Sequence, residues 1–448
     1  MTEKEVTEVS FDETSHAWFD RNRLSDLPAL LIGVYTHKVH LHETEEHVEE
    51  LALLAETHGI AVEEKVITPL RTCCAATFLS QGKLEEMDVL RKEKGIKLII
   101  FDDEISPAQQ RNLESFFKIP VIDRTVVILG VFADRAKSKE AKLQIELAKT
   151  RYLVPRLKHR WSHFSKQTGG GGGASGGGYL KGEGERQIEI DKRLLKKRES
   201  QLRHEIASIK NYRETQRGLR ERRGVPVFAI VGYTNAGKST LMHAITGADV
   251  LVEDKLFATL DTTTRQFHLP FSHQEILCVD TVGFVRKLPH LLVVAFRSTL
   301  EEAAQADVLI HMIDASHPMA LEQAETTLQV LEELGAGDMP MITCFNKMDL
   351  ENSDPEVFTK LKFTYPRAVS MSALQNEGVD ALFDEMEWVL KSWRKIMRVK
   401  IPQSEYHLVS QAMREGRIIE QEYVNNDILL EVELPVQISF SYEKYLVE

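Results

Sequence analysis

Cysteine is scarce in this chain of 448 residues: there are four thiols, Cys73, Cys74, Cys278 and Cys344. The adjacent pair Cys73 and Cys74 has no zinc spacing, and the other two sit in apolar, strand-like runs. Reduced structural thiols in a cytoplasmic protein are therefore expected. No apolar run approaches the roughly 20 residues that cross a bilayer, so stable membrane insertion is not expected. The opening stretch MTEKEVTEVSFDETSH is acidic and lacks the basic-then-apolar order of a signal peptide. Residues 1–24 have the composition of a disordered tail. What is present is an ordinary globular balance, 43% hydrophobic and 28% charged, and the length suggests about two to four domains.

The net charge of −12 conceals an asymmetry. Pro155 to Arg223 carries 18 Lys/Arg against 8 Asp/Glu, so that segment is +10 and the remainder −22. One basic segment in an acidic chain points to a local nucleic-acid contact. Charge alone leaves a second reading open, a solvated helical face.

Residues 25–135 alternate strand and helix. ALLIGVY reads as a buried strand, and Val48, Leu51, Leu54 and Ala55 share one face of a helix stopped by Gly59. SPAQQRNLESFF opens with a Ser cap and Pro at the first helical position. A small α/β domain with a mostly parallel sheet is expected. In 136–223 the pattern changes to two narrow apolar stripes on charged helices. Leu143, Leu147, Val154, Leu157 and Trp161 form the first, with Tyr152 and Leu153 alongside and a kink predicted at Pro155. Ile188, Leu195, Leu202 and Ile209 recur every seven residues in the second, with Ile206 alongside. Between them, eight of the ten residues 169–178 are glycine. The expectation is a basic antiparallel helical hairpin with a flexible tip. From 224 to 393 short apolar strands alternate with helical stretches, as in a doubly wound sheet. Residues 394–448 read as a small α+β domain.

FAIVGYTNAGKST carries the strongest chemical signal. Gly232, Gly237, Lys238 and Ser239 fit G-x-x-x-x-G-K-[ST] between a strand and a helix, the context a phosphate loop requires. Tyr233, Thr234, Asn235 and Ala236 complete the loop, whose backbone N–H groups would wrap the phosphates. Lys238 would reach the β- and γ-phosphates and Ser239 would ligate Mg2+. In VDTVGF, Asp280 is placed to hold the Mg2+ shell and Gly283 to offer its N–H to the γ-phosphate, with Thr281 and Val282 between. Phe257, Ala258, Thr259, Leu260 and Asp261 lead into a threonine-rich stretch, in which Thr259 is favoured over Thr262, Thr263 or Thr264 as switch residue and second Mg2+ ligand; an ordinary threonine-rich loop is the rival reading. Asn346, Lys347, Met348 and Asp349 end a further predicted strand. A carboxylate there accepts the N1–H and N2–H2 donors of guanine, which adenine lacks, so GTP is favoured over ATP. Ser372, Ala373 and Leu374 resemble a backbone clamp on the guanine oxygen.

These motifs together resemble the HflX family of ribosome-associated GTPases: GYTNAGKS, LFATLD, DTVGFVRKLPH with AFRSTLEE, and NKMD. The N-terminal half resembles the family too, through ATFLSQGKLEEM, SPAQQRNLE, VIDRT, FADRAKSKEAKLQIELA and GEGERQIEIDKR. The likeness spans roughly residues 25–390 and is weak beyond 395. The family loop usually mixes glycine with Arg and Pro, whereas here it is nearly pure glycine. The resemblance implies a monomeric, cytoplasmic GTPase that binds the large (50S) ribosomal subunit and its rRNA. Loaded with GTP, it would split stalled or idle ribosomes and leave as GDP forms. Lys192, Arg193, Lys196, Lys197 and Arg198 would then neutralise rRNA phosphates. Many GTPases place a glutamine just after Asp-x-x-Gly; here Phe284 stands there, so the residue orienting the attacking water is unassigned. The resemblance further implies a K+ ion near Asn235. A signalling switch acting through a protein partner, with no RNA contact, is the alternative. No phosphate loop occurs in residues 1–220, so the sequence lends no support to a second nucleotide site there.

Overall fold

The computed structural model describes residues 19, 24–25, 27–37, 40–159, 189–209, 225–247, 257, 260, 262–272, 274–288, 303–350, 355–391 and 393–447. The acidic N-terminal stretch, the glycine run, Trp161, Ile188, Ala258, Thr259 and Asp261 lie outside them. The chain divides into two compact units. One comprises Met1–Lys210, Glu253–Asp261 and Val285–Thr299, and the other Asn211–Val252, Thr262–Phe284 and Leu300–Glu448.

The first unit is built from β1 (Ala29–Tyr35), α1 (Leu41–Thr57), β2 (Val62–Pro69), α2 (Gln81–Lys94), β3 (Leu98–Phe101), α3 (Pro107–Phe117), β4 (Val121–Asp123) and α4 (Arg124–Arg135). The strands lie in the order β2-β1-β3-β4, all parallel. A helix between successive strands returns the chain to the same end of the sheet, which is what parallel pairing requires. All four residues of β3 are buried, as expected of a strand covered on both faces. Leu84, Met87, Leu113 and Phe117 from α2 and α3 pack on Leu30, Ile32, Ile99 and Phe101. The expected cap of α3 is a full capping box between Ser106 and Gln109, with Pro107 in the first turn.

Ser138 caps α5 (Lys139–Leu153), and a helix α6 follows over 189–209. Leu195 and Leu202 are buried, and Leu202, Ile206 and Ile209 pack with Leu143 and Leu147, so the seven-residue repeat marks a real seam. Arg151 bonds Glu199 at 3.0 Å, and Arg198 grips Glu146 at 2.7 and 2.9 Å. Two expectations are corrected. The first helix carries no narrow stripe: Ala141, Leu143, Ile145, Leu147, Ala148, Tyr152 and Leu153 are all buried. Nor does it run through Pro155 with a kink; α5 stops at Leu153 and 154–159 form a 3-10 turn. Proline has no N–H to give and its ring crowds the carbonyl four residues back, which here ends the helix.

A buried charge cluster marks the carboxyl ends of β3 and β4. Arg124 pairs with Glu50 and, at 2.8 Å, with Asp102. Asp102 also accepts from Arg286 and Lys287, each at 2.8 Å, out of the 285–299 segment of the same unit. Burial alone would raise the Asp102 carboxyl, but the cations of Arg124, Arg286 and Lys287 outweigh it and hold it well below the usual carboxylate range. Phe257, in the other segment assigned to this unit, packs edge-on against Phe132 of α4 with centroids 4.5 Å apart.

The second unit runs β5 (Val227–Gly232), α7 (Lys238–Thr246), β6 (Thr263–His268), β7 (Glu275–Asp280), β8 (Val308–Asp314), α8 (Ala320–Glu333), β9 (Met341–Asn346), α9 (Pro355–Thr364), β10 (Val369–Ser370) and α10 (Val379–Lys391). The strand order is β10-β9-β8-β5-β7-β6, parallel except for the edge pair β6 and β7. The threonine-rich stretch, in which the switch residue is expected, therefore enters a strand at Thr263. Its polar residues suit an edge strand, where Thr264, Arg265, Gln266 and His268 meet solvent. The chain ends in β11 (Arg394–Pro402), α11 (Tyr406–Glu415), β12 (Arg417–Val424) and β13 (Asp427–Pro435), an antiparallel sheet ordered β11-β13-β12. One of its faces buries Met397, Val399, Ile401, Leu430 and Val432 with Val409 of α11. Among the described residues, no helix is long and apolar enough to cross a membrane.

His311 lies in the middle of β8, fully buried, and neither ring nitrogen has a hydrogen-bond partner among the described residues. Burial pushes its pKa from 6.5 down to about 4, so the folded chain keeps it neutral while the unfolded chain takes up a proton near 6.5. Its contribution is present above that pH and is lost as pH falls towards 4, by up to about 3 kcal/mol. Urea unfolding at pH 7.5 and 4.5 should show a smaller acid loss in His311→Leu than in the parent. An equal loss in both would mean that His311 does not drive it.

Candidate nucleotide site

The site is built at the carboxyl end of the parallel strands of the second unit, where β5 turns into α7. Two glycines are dictated by close approach. At Gly232, with φ +153°, a Cβ would lie 2.4 Å from the carbonyl oxygen of Met312 on β8. At Gly237, with φ +90°, it would lie 2.1 Å from Asn346 Nδ2 on β9. Asn235 is exposed and also left-handed, at φ +61°, a conformation asparagine tolerates better than most residues. The loop is thus wound by sequence and clamped by its neighbours, and the first N–H groups of α7 follow directly.

Lys238 is buried, and its Nζ donates to the Tyr233 carbonyl at 2.6 Å. Burial lowers its pKa to about 8 against a smaller upward pull from Asp280. Ser239 Oγ donates to Asp280 Oδ2 at 2.8 Å. A hydroxyl and a carboxylate so close are hard oxygen donors of the kind Mg2+ takes along with phosphate oxygens and water, so the residues present fit the ion. Among the described residues no group of three or more His, Cys, Asp or Glu could hold a metal.

The segment after β7 is drawn onto the loop. Thr234 N donates to the Phe284 carbonyl at 2.7 Å and Phe284 N to the Gly232 carbonyl at 3.1 Å. Gly283 lies so near that an added Cβ would be 2.9 Å from Lys238 Nζ. Thr281 turns its hydroxyl inward to the Ile230 carbonyl at 2.7 Å, and Val282 and Phe284 are buried. Phe284, in the glutamine position, is therefore a packing residue. Phe257 and Leu260 are buried as well, and the ring of Phe257 is taken up by Phe132. Ala258, Thr259 and Asp261 fall outside the described residues.

At the other end of the site one carboxamide joins three motifs. Asn346 Nδ2 donates to the Ala236 carbonyl at 2.8 Å, and its Oδ1 accepts Ala373 N at 2.9 Å. Met348 N reaches the Met371 carbonyl at 3.3 Å. Ser372 is buried and its Oγ accepts Gln375 N at 3.1 Å, closing a turn that leaves Leu374 exposed. Asp349 is half-buried next to these. Asp314, at the end of β8, was not among the residues singled out from sequence, yet its carboxylate meets Lys347 Nζ at 2.7 Å. Only the register of β8 against β9 brings it there.

The matched family models cover most of the chain: "GTP-binding GTPase N-terminal" over residues 45–133, "GTP-binding GTPase Middle Region" over 135–220 and "50S ribosome-binding GTPase" over 227–347. A curated protein of Chlamydia pneumoniae named GTPase HflX is 41% identical over 98% of this chain and 92% of its own length. Relatives of the same name from Akkermansia muciniphila and Escherichia coli are 43% and 37% identical, over 94% and 89% of this chain and 97% and 93% of their own. The chain belongs to the HflX family of GTPases. As an HflX GTPase it hydrolyses GTP to GDP and phosphate.

Within this HflX chain the glycines offer a sharp test of the geometry. Gly237→Ala combines a left-handed φ with the collision at Asn346, whereas a Cβ added at Gly247 (φ +62°) would meet only open space. Gly247→Ala should cost about 1 kcal/mol. Gly237→Ala should cost more than about 3 kcal/mol and abolish measurable GDP binding. Thermal melts and fluorescent-GDP titration of the two variants check this, and near-equal behaviour would refute the close approach.

Proposed function

We propose that this GTPase binds the large ribosomal subunit through its basic hairpin, splits stalled or idle ribosomes when loaded with GTP, and times its departure by hydrolysis. The observation that carries the reading is the placement of charge on α6. Arg193, Lys196 and Lys197 are exposed and Lys192 half-buried, on a helix seamed to α5 by its opposite face. Exposed cations on a rigid helix suit a phosphate-rich surface. Arg198 is the exception, since it is engaged by Glu146 and contributes more to holding the hairpin than to reaching RNA. The glycine run between the helices would let the backbone approach crowded RNA where side chains do not fit.

In this reading the loop from Gly232 to Ser239 wraps the phosphates with its N–H groups and Lys238 meets the β- and γ-oxygens. Ser239 and Thr259 would hold Mg2+, with Asp280 bracing Ser239; the ion would neutralise charge developing on the phosphates. Gly283 would offer its N–H to the γ-phosphate. Asp349 would accept from the guanine edge, Ala373 and Leu374 would face the guanine oxygen, and Asn346 would hold both walls together. With Phe284 buried and unable to orient water, that role falls to a group other than the residue in the glutamine position. A K+ ion beside Asn235 would supply positive charge, and docking on the subunit would order the threonine-rich segment. The protein acts as a cytoplasmic monomer in this scheme.

Two measurements test it. Incubated with 70S ribosomes, the protein should split them with GTP and with a non-hydrolysable analogue but stay bound with the analogue. Single-turnover hydrolysis should be slow alone, faster with 50S subunits and faster in K+ than in Na+. Ribosomes left intact under both nucleotides, together with fast hydrolysis indifferent to subunit and cation, would point instead to a switch with a protein partner. Separately, Lys196→Glu with Lys197→Glu should weaken 50S co-sedimentation and flatten the log–log salt slope by about 2, with GTP binding retained. Arg198→Glu should instead lower the melting temperature, because it sets two carboxylates against each other at Glu146.

A further inference from the structure

The turn that carries Asp349 contains a strained residue with a dedicated anchor. Lys347 is not glycine, yet it holds φ +62°, a left-handed conformation that is strained for a residue bearing a side chain. Nothing local in the sequence favours it: lysine has none of the short polar groups that let Asn or Asp stabilise that geometry. Its amine, at the end of a stem with four rotatable bonds, is bonded to Asp314 Oδ2 at 2.7 Å. Asp314 is itself immobilised. Its side chain is 10% exposed, and its Oδ1 accepts both Ser316 N at 3.0 Å and Ser316 Oγ at 2.6 Å. Asp314 stands directly opposite Asn346 in the β8–β9 register, and Ala315 N donates to the Asn346 carbonyl at 3.1 Å. One oxygen is thus fixed by the turn after β8 and the other is spent on Lys347.

We infer that Asp314 is a positioning residue for nucleotide binding: through the Lys347 amine it holds the left-handed turn that aims Asp349. The inference rests on the reading of Asn346–Asp349 as the guanine site. The ion pair offsets the strain of the turn before nucleotide arrives, so less ordering remains for the ligand to impose. Its effect falls on the base end, which GDP and GTP share, and not on the phosphate end where they differ.

The experiment measures GDP and GTP affinity by fluorescent-nucleotide titration, steady-state KM and kcat, and melting temperature. The variants are Asp314→Asn, Lys347→Gly, their double variant, Lys347→Met and Asp349→Asn. Asp314→Asn keeps an acceptor for Ser316 and removes the charge facing Lys347. It should weaken GDP and GTP equally, by about tenfold, raising KM with kcat held. Glycine accepts φ +62° without strain, so in the Lys347→Gly background Asp314→Asn should cost no further affinity. A tenfold loss that persists in that background would overturn the inference, because Asp314 would then act without Lys347. So would a fall in kcat, or a loss confined to GTP, since either places its effect at the phosphates. If Asp314→Asn merely melts the protein, Lys347→Gly against Lys347→Met decides: both lose the amine, but glycine alone takes the left-handed turn without strain, so tighter nucleotide binding by Lys347→Gly supports turn-holding, whereas equal or tighter binding by Lys347→Met refutes it. Asp349→Asn separates the underlying reading. It should exchange preference for GTP with preference for xanthosine triphosphate, and unchanged GTP affinity there would remove the guanine site itself.

Discussion

Asn346 is the constraint on which the nucleotide end of the second unit depends. Its carboxamide is buried, and it spends one donor on the Ala236 carbonyl and its acceptor on Ala373 N. Three stretches far apart in the chain are thereby fixed to one another by a planar group that cannot be replaced by an apolar isostere without leaving buried backbone groups unpaired. The demand runs both ways. Because Asn346 Nδ2 lies against the loop, residue 237 must be glycine, and because Gly237 admits it, Asn346 can reach Ala236. Strand β9 supplies the position, and its parallel pairing with β8 makes Asp314 the cross-strand neighbour.

The loop from Gly232 to Ser239 is clamped on several sides, while other stretches near it in sequence belong to the first unit. From Gly232 to Ser239 the backbone is held by Met312, Asn346 and Phe284. Phe257 and the pair Arg286 and Lys287 belong to the first unit, where Phe132 and Asp102 grip them. Lys287 and Phe257, the residues gripped, both have left-handed backbones without being glycine. Conformations of that kind persist only where surrounding contacts over-determine them. The contact is a buried carboxylate for Lys287 and an aromatic edge for Phe257.

Catalysis stands out by what Phe284 is not. It is almost fully buried and carries both backbone hydrogen bonds of the bridge to Tyr233. A side chain so placed serves packing, and the hydroxyl of Thr281 is likewise turned into the sheet. HflX membership means the chain hydrolyses GTP all the same, so positioning of water has to rest on groups other than the side chains of residues 281–284.

Much of this was legible in sequence because it is local. Period-two and period-3.6 patterns, a Ser-Pro helix start and the strand–loop–helix context of GYTNAGKS depend on residues close together in the chain, and the doubly wound fold and the phosphate loop follow from them. The seven-residue repeat through Leu195 and Leu202 was legible for the same reason. What failed was whatever depended on partners. The stripe on α5 reads as narrow because periodicity shows one face, whereas burial on several faces comes from neighbours the pattern does not contain. Pro155 ends a helix where a kink was equally compatible with its covalent geometry. The strand that the threonine-rich stretch enters at Thr263 leaves no apolar alternation, because an edge strand needs no apolar face, only a neighbour with open hydrogen bonds. Arg198 looks like any other cation in a basic run until Glu146 is brought beside it. Asp314 carries no motif at all; strand register alone puts its carboxylate at Lys347. The sequence by itself determined the class of ligand, since the glycines, lysine and carboxylates that recognise it act through chemistry and spacing. Only the tertiary structure decided which charges are spent inside the protein and which remain at its surface, because that depends on distances between residues the chain keeps far apart.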